Sequence, residues 1–384
     1  MAPRPGGRPH MLALNIKKEE LARGVGQTSA IADKRSALPL LSNILLEAED
    51  GRLRLTATDM ELSFQGSYQA EVESPGRLTV PARTFNDLVR NLSAAEVRLT
   101  EEENFTLHLT ARSQTKLVLY GTGPDDFPAM PPVDNVTFLE LSARDLQSAI
   151  DRTIYSVAKD ETRYNLSGIY LEKVEYEGRP NLRLVSTDGH RLNLAGLSAP
   201  DLAGLDLPKG VLVPSKGMGE VRKLTEGAET LLLGLSGDSL VARSQNTVLV
   251  MRLQEGRFPD YNLVLPKDNN RHLLVVRREL QEALKLVEIL CAGGEYKVVK
   301  LALEPGRMVI SAVNPSQGQA EESLEVEYEG EPLEIGFNPR YCLEALNPLA
   351  SEKVRLSFRE AANPILLTAA EDPGYSGVIM SMKI

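Results

Sequence analysis

Apolar and polar residues alternate along three widely separated stretches of the chain, "LRLTATDMEL", "LRLVSTDGHRL" and, more weakly, "MVISAVNPSQ". A period of two marks a half-buried β-strand, and each stretch runs into residues that favour a tight turn. The turn residues are Asp59, Asp188 and Asn314, 129 and 126 residues apart. A helical spacing of apolar residues, opened by an acid–leucine pair, recurs in "KKEELARGV", "SARDLQSAI" and "RRELQEALKLV" and aligns Leu21, Leu146 and Leu280. A second helical pattern recurs in "VPARTFNDLVRNL", "VPSKGMGEVRKL" and "FNPRYCLEALNPL" and aligns Arg83, Lys216 and Arg340. Pro81 and Pro214, each followed by a small residue, suit a helix start.

Three landmarks in one order at nearly one period predict a three-fold internal repeat. Each copy reads as a helix, alternating strands, a second helix and further strands. The expected class is α+β: three similar domains in tandem at 12–136, 137–270 and 271–384, behind a tail of residues 1–11. Prolines and polar residues in "FPAMPPVDN" and "FPDYNLVLPKDNN" mark the linkers.

Composition narrows the function classes. Hydrophobic residues at 42% and charged residues at 25% describe an ordinary globular chain, and no stretch approaches the roughly 18 apolar residues of a membrane span. A cytoplasmic protein is expected. The two cysteines, Cys291 and Cys342, and the four scattered histidines lack metal-ligand spacing, and no phosphate-binding glycine loop occurs. No metal and no cofactor are expected. A net charge of −10 argues against a conventional nucleic-acid binder, which carries a basic footprint.

Asp188, His190 and Arg191 in "TDGHRL" are catalytic residue types, and a hydrolase is one reading of them. The repeat weakens it. Asp recurs at Asp59, where local backbone bonding gives it a turn-forming role, whereas His190 has no counterpart in "TDMEL" or "VNPSQ". Either the middle copy has a function of its own, or His190 is a surface residue.

Cations recur on the helices. Arg83 and Lys216 open the second helices, and Arg90 and Lys223 follow each by seven residues, almost two turns, on the same face. On the first helices Arg144 shares a face with Arg152, and Arg278 with Lys285. These are solvated faces or, jointly, a basic lining. The acidic excess gathers on strands: in "QAEESLEVEYEGEPLEI", Glu325, Glu327 and Glu329 share one face, with Leu324 and Val326 opposite. That row guards a sheet edge or pairs with the basic edge "ARSQTKLVLY", which holds Arg112 and Lys116.

The segments "LPLLSNILLEAEDGRLRLTATDMEL", "TDGHRL", "GRFPDY", "NPSQGQAEE" and "PLEIGFNPRY", in this order over all three repeats, closely resemble the family of bacterial DNA polymerase III β subunits, the sliding clamps. The resemblance runs from about Leu12 to Ile384. It implies a head-to-tail homodimer of three-domain chains closing into a six-domain ring, helices lining the hole and sheets outside. In that dimer Glu325 and Glu327 are expected to face Arg112 and Lys116 of another chain, with Leu117, Leu119, Ile289 and Leu290 burying apolar area. It implies a processivity factor without catalysis, which encircles duplex DNA irrespective of sequence and tethers the replicative polymerase, the clamp loader, other polymerases and repair proteins. Retention by topology removes the charge objection, because such a ring does not depend on phosphate affinity. By resemblance Arg35, Tyr164, Asn165 and Lys216 touch DNA; helix phase adds Arg83, Arg90, Lys223 and Lys285. Also by resemblance, a hydrophobic groove for short partner peptides uses Leu166, Thr187, Gly189, His190, Arg191, Leu192, Pro259, Val264 and Tyr341, with Val378, Met380 and Met382 from the tail "GVIMSMKI". Methionine suits such a groove because its side chain is flexible and polarizable. His190 and Arg191 are expected at its polar rim. The chain departs from the family pattern at Leu263, where arginine is common, and at Ser381, where proline is usual.

Overall fold

The computed structural model describes residues 11–33, 38–112, 115–205, 207, 209–291 and 298–384. Arg35 and most of the 1–11 tail fall outside them. Two compact units are present, one of residues up to 138 with Leu231–Arg252, the other of Leu139–Thr230 with Leu253–Ile384.

Each repeat supplies two α-helices: α1 (Lys18–Ser29) and α2 (Ala82–Asn91), α3 (Ala143–Asp151) and α4 (Ser215–Leu224), α5 (Arg277–Cys291) and α6 (Pro339–Leu346). The two helices of a repeat pack on one another. The three aligned leucines, Leu21, Leu146 and Leu280, are all fully buried. In α5 the buried residues Leu280, Ala283, Leu284, Val287 and Cys291 follow the spacing that puts one helical stripe on a core. Sequence periodicity did not reveal that every helix is fed directly by a strand, as Ala13–Lys17 feeds α1 and Val211–Pro214 feeds α4. Pro81 and Pro214 stand as the residues ahead of α2 and α4, while Asn338 caps α6 by accepting from the backbone N–H of Arg340 at 3.0 Å.

The aligned turn residues do the same work in all three copies. Asp59 Oδ1 accepts from the backbone N–H of Glu61 and Leu62, and Asp188 Oδ1 accepts from that of His190 and Arg191. Asn314 Oδ1 accepts from the N–H of Ser316. The preceding threonines also match: Thr58 donates to the carbonyl of Leu62, Thr187 to that of Arg191. Gly189 takes φ +87° and Met60, at the same place, φ +75°. The glycine in "TDGHRL" therefore serves the turn.

Consecutive repeats share sheets. In the first unit a sheet runs Thr230–Ser236, Ser239–Ser244, Thr247–Arg252, Leu62–Gln69, Arg52–Thr58, Asn43–Glu49, Gly76–Pro81. Its seam is the antiparallel pairing of Leu62–Gln69, which follows the Asp59 turn, with Thr247–Arg252, the last strand of the middle repeat. In the second unit a sheet runs Val211–Pro214, Gly168–Tyr176, Arg179–Thr187, Arg191–Ser198, Asp372–Ile379, Ile365–Ala369, Lys353–Phe358, Arg271–Val276. Its seam pairs Arg191–Ser198, which follows the Asp188 turn, with Asp372–Ile379, the last strand of the third repeat. One rule covers both seams: the strand after the turn pairs with the last strand of the next repeat. Two smaller sheets end in open edges, Thr115–Tyr120 in the first unit and Gly318–Glu325 in the second. Among the described residues no helix is long and apolar enough to cross a membrane.

Equivalence of the repeats has an energetic counterpart. Leu21→Ala, Leu146→Ala and Leu280→Ala should each destabilise the chain by about 2–5 kcal/mol in urea unfolding, and Lys285→Ala by under about 0.5 kcal/mol. A leucine variant as mild as the lysine control would show that position to lie outside a core.

Candidate functional site

The turn "TDGHRL" and the seam strand after it lie at one wall of a small apolar cavity of about 150 Å³. Leu166, Thr187, Gly189, Arg191, Leu192, Pro259, Tyr261, Val264, Val378 and Met380 line it. Leu192 and Val378 are paired across the seam and buried, so they form the floor and belong to the surrounding core at once. Val264, Met380 and Met382 remain substantially exposed. The other three expected groove residues stand beside the cavity. His190 stacks on Tyr341 with ring centroids 6.5 Å apart, and its carbonyl accepts from Met380 N–H at 3.0 Å. Met382 N–H donates to the carbonyl of Gly336 at 2.7 Å, which holds the tail along Leu333–Phe337.

Arg191 is not a rim residue. It is 8% exposed, and its guanidinium is held from several sides. Nε donates to Asp188 Oδ2 at 3.1 Å, one terminal nitrogen donates to the Tyr155 carbonyl at 2.7 Å, and the other donates to the Glu344 carboxylate. The cation also lies over the Tyr341 ring, 4.5 Å from its centroid. Arg191 thus fastens the middle repeat to α6 of the third. Burial pushes the Glu344 carboxyl upward, but the hydrogen bonds from Arg191 and Arg340 outweigh it and hold the group below its ordinary range. Beneath the seam, Tyr155 and Tyr375 both donate to Asn193 Oδ1, at 2.7 and 2.8 Å.

These bonds also decide against hydrolysis. The Asp188 carboxylate is committed to the turn and to Arg191. Ser186 is buried against Ser156 and the Thr153 carbonyl, and the Thr187 hydroxyl is bonded to the Arg191 carbonyl. None of these groups is arranged as a nucleophile for His190.

Other groove features were invisible in the sequence. "FPDYNLV" reads as a linker, yet Phe258 and Tyr261 are buried; the Tyr261 hydroxyl accepts from Arg183 at 2.9 Å and donates to the Glu172 carboxylate. Burial raises the Tyr261 phenol to about 12. Leu263 is 84% exposed and does not line the cavity.

The expected DNA-facing residues are distributed over both units. Arg83 and Arg90 are exposed on α2, with Arg83 only 3.9 Å from Asp87. Lys216 and Lys223 are exposed on α4, where Lys223 donates to Glu220, and Lys285 is exposed on α5. Tyr164 is exposed and Asn165 half-buried in the short 3-10 turn Glu161–Leu166. The same turn holds Arg163, overlooked in the sequence, which donates to the Asp188 carbonyl at 2.8 Å. Arg152 leaves the expected basic face, because it is largely buried in an ion pair with Asp372.

Two expected subunit-contact residues need correction. On Thr115–Tyr120, Leu119 is 5% exposed and packs inward, because alternation turns Lys116, Val118 and Tyr120 outward; Leu117 is half-buried. Glu327 lies beyond the edge strand, its N–H and carbonyl paired with Leu274 and its carboxylate accepting from Lys353 at 2.6 Å. Glu325 is exposed, as is Ile289, while Leu290 is half-buried. The side chain of Arg112 lies outside the described residues.

A three-fold repeat with shared sheets and an apolar cavity at a seam, with Ser186, Thr187 and Asp188 beside it committed to structural bonds, defines a scaffold of the clamp class. Models of the N-terminal, central and C-terminal domains of the DNA polymerase III beta subunit match residues 12–131, 140–260 and 262–383. The beta sliding clamp of Caulobacter vibrioides is 35% identical over 97% of this chain and all of its own, and that of Pseudomonas putida is 35% identical over 96% and 99%. A crystal structure of the C. crescentus clamp superposes with a TM-score of 0.92 at 35% identity, covering 98% of this chain and all of that one. The Bartonella birtlesii clamp bound to griselimycin gives 0.91 at 32% identity, with coverage of 98% and 100%. The chain belongs to the DNA polymerase III β-subunit family: it is a sliding clamp, a processivity factor and not an enzyme.

Glu344 links the groove to pH. A carboxyl lowered on folding contributes stability that is complete above its unfolded pKa and is lost as pH falls through the folded value. Glu344→Gln should cost about 1–2 kcal/mol at neutral pH and flatten the stability loss below about pH 4. Parallel unfolding curves for variant and wild type down to acid pH would remove Glu344 from the clamp on Arg191.

Proposed function

We propose that two copies of this chain close head to tail into a six-domain ring around duplex DNA, and that the seam cavity captures short apolar peptides of partner proteins. The observation carrying the ring is the pairing rule. The strand after the Asp59 turn and the strand after the Asp188 turn each bind the last strand of the next repeat. In the third repeat the strand after the Asn314 turn, Gly318–Glu325, ends its sheet as an open edge, and so does the last strand of the first repeat, Thr115–Tyr120. Applying the rule once more joins them antiparallel between two chains. Their charges suit this, with Glu321, Glu322 and Glu325 on one edge and Lys116 on the other. Val118, Tyr120 and Ile289 supply apolar area in place of Leu119, and Leu290 contributes its exposed part. In this reading the domains are 12–136, 137–270 and 271–384, and the protein acts in the cytoplasm.

Arg35, Arg83, Arg90, Tyr164, Asn165, Lys216, Lys223 and Lys285 are proposed to contact the duplex weakly and irrespective of sequence. Individual exposed charge contacts are weak and salt-screened, which suits a ring that slides. The peptide site consists of the cavity residues with His190, Tyr341 and Met382 at its edge. Griselimycin bound to the relatives' clamps supports a peptide site in this family. The replicative polymerase, the clamp loader and repair proteins are the proposed owners of such peptides.

Two experiments test the two halves. The wild-type chain, loaded on nicked circular DNA and crosslinked, should stay bound in high salt and be lost when the circle is cut. Val118→Asp should sediment as monomer at low micromolar concentration and fail to be retained; a retained, dimeric variant would place the interface elsewhere. For the groove, Met380→Ala should weaken a Leu- and Phe-containing peptide by at least about 2 kcal/mol in calorimetry while the dimer persists. Unchanged peptide affinity would move the site away from the seam.

A further inference from the structure

A second and larger cavity, of about 730 Å³, adjoins the apolar one and shares Pro259 and Tyr261 with it. Its chemistry differs. One wall is the stacked pair Tyr170 and Phe258, ring centroids 4.9 Å apart and nearly parallel. Gly210 closes against that wall so tightly that a Cβ there would lie 2.0 Å from the Tyr170 ring.

The charged groups of this cavity are Glu172, Asp260, Lys209 and Arg257. Both carboxylates are already engaged. Glu172 accepts from the Tyr261 hydroxyl and has Arg183 at 3.9 Å, and Asp260 Oδ1 accepts from the backbone and side-chain nitrogens of Asn262 at 3.1 Å each. Among the described residues Lys209 and Arg257 have no ion-pair partner, and both are exposed at the mouth. With Arg183 set against Glu172, Lys209 and Arg257 stand against the single carboxylate of Asp260, and the balance met by an incoming ligand is positive.

We infer that this cavity receives acidic side chains flanking the apolar anchor of the same partner peptide, with Lys209 and Arg257 as their partners. The inference rests on reading the smaller cavity as a peptide groove. It adds a choice among partners, since sequences sharing one apolar anchor would be sorted by the charge beside it. A segment leaving the apolar cavity over Pro259 and Tyr261 enters the cavity that the two cations line. Exposed pairs are individually weak, so two of them should give about a three- to ten-fold preference that fades with salt.

The test uses acetylated and amidated peptides, so that chain ends carry no charge. Each has a Leu-Phe anchor with Asp-Asp on its N-terminal side, Asp-Asp on its C-terminal side, or Asn-Asn on both. Calorimetry on the wild-type dimer should show one acidic peptide bound about three- to ten-fold tighter than the neutral one at low salt. In Lys209→Gln/Arg257→Gln the gain should vanish while the neutral peptide keeps its affinity, which also shows the groove intact. Equal affinity of all three peptides for the wild type, or a gain that survives in the double variant, would overturn the inference and leave the groove standing. Failure of all three to bind would remove both readings.

Discussion

Backbone groups at a sheet edge need partners, and here that need organises the molecule. An edge strand presents a row of N–H and C=O groups that bonds water, a cover or another strand. The first and middle repeats each make such an edge directly after their polar turn, and the next repeat in the chain satisfies it: Leu62–Gln69 is met by Thr247–Arg252, and Arg191–Ser198 by Asp372–Ile379. The repeats are consequently not beads on a string. The last strands of the middle repeat, within Leu231–Arg252, belong to the first compact unit.

The same seam creates the apolar cavity. Strand pairing brings Leu192 against Val378, while the turn that starts the seam strand delivers Gly189 and Arg191 to the cavity wall. A buried arginine is tolerable only when its charge and donors are met, and Asp188, Glu344, the Tyr155 carbonyl and the Tyr341 ring meet them. The cavity is apolar because polar atoms around it are occupied with one another. Its adaptable side is the tail, where Met380 and Met382 are tethered by backbone bonds and remain partly exposed.

Much of this was legible in the chain. The repeat emerged from Leu21, Leu146 and Leu280, which are equally buried, and from Asp59, Asp188 and Asn314, which each accept from the N–H two residues on. Cavity-lining residues such as Leu166, Pro259 and Val264 came through family resemblance, since nothing in periodicity marks them. What failed depends on contacts between distant residues. Arg152 looked like a surface cation until Asp372, far along the chain, was found beside it. Arg191 looked like a rim residue because Glu344 and Tyr341 come from another repeat. Leu119 was misassigned for a simpler reason: on a strand covered on one side, the apolar residue usually faces inward, and Val118 and Tyr120 were the outward ones. Tyr261 sat inside a segment whose prolines and asparagines suggested only a connection.

The double role of Arg191–Ser198 has a mechanical side. This strand is both the floor of the cavity and half of the hydrogen-bonded joint between two repeats. A ligand seated on Leu192 and Val378 bridges that joint as a peg crosses a hinge, so prising the repeats apart there means expelling the ligand. The joint between the first and second repeats, built by the same pairing, has "TDMEL" at its turn in place of "TDGHRL". Under the proposed peptide binding, occupancy would stiffen this joint through its seated ligand, and a molecule whose seams are alike in backbone would become asymmetric in compliance.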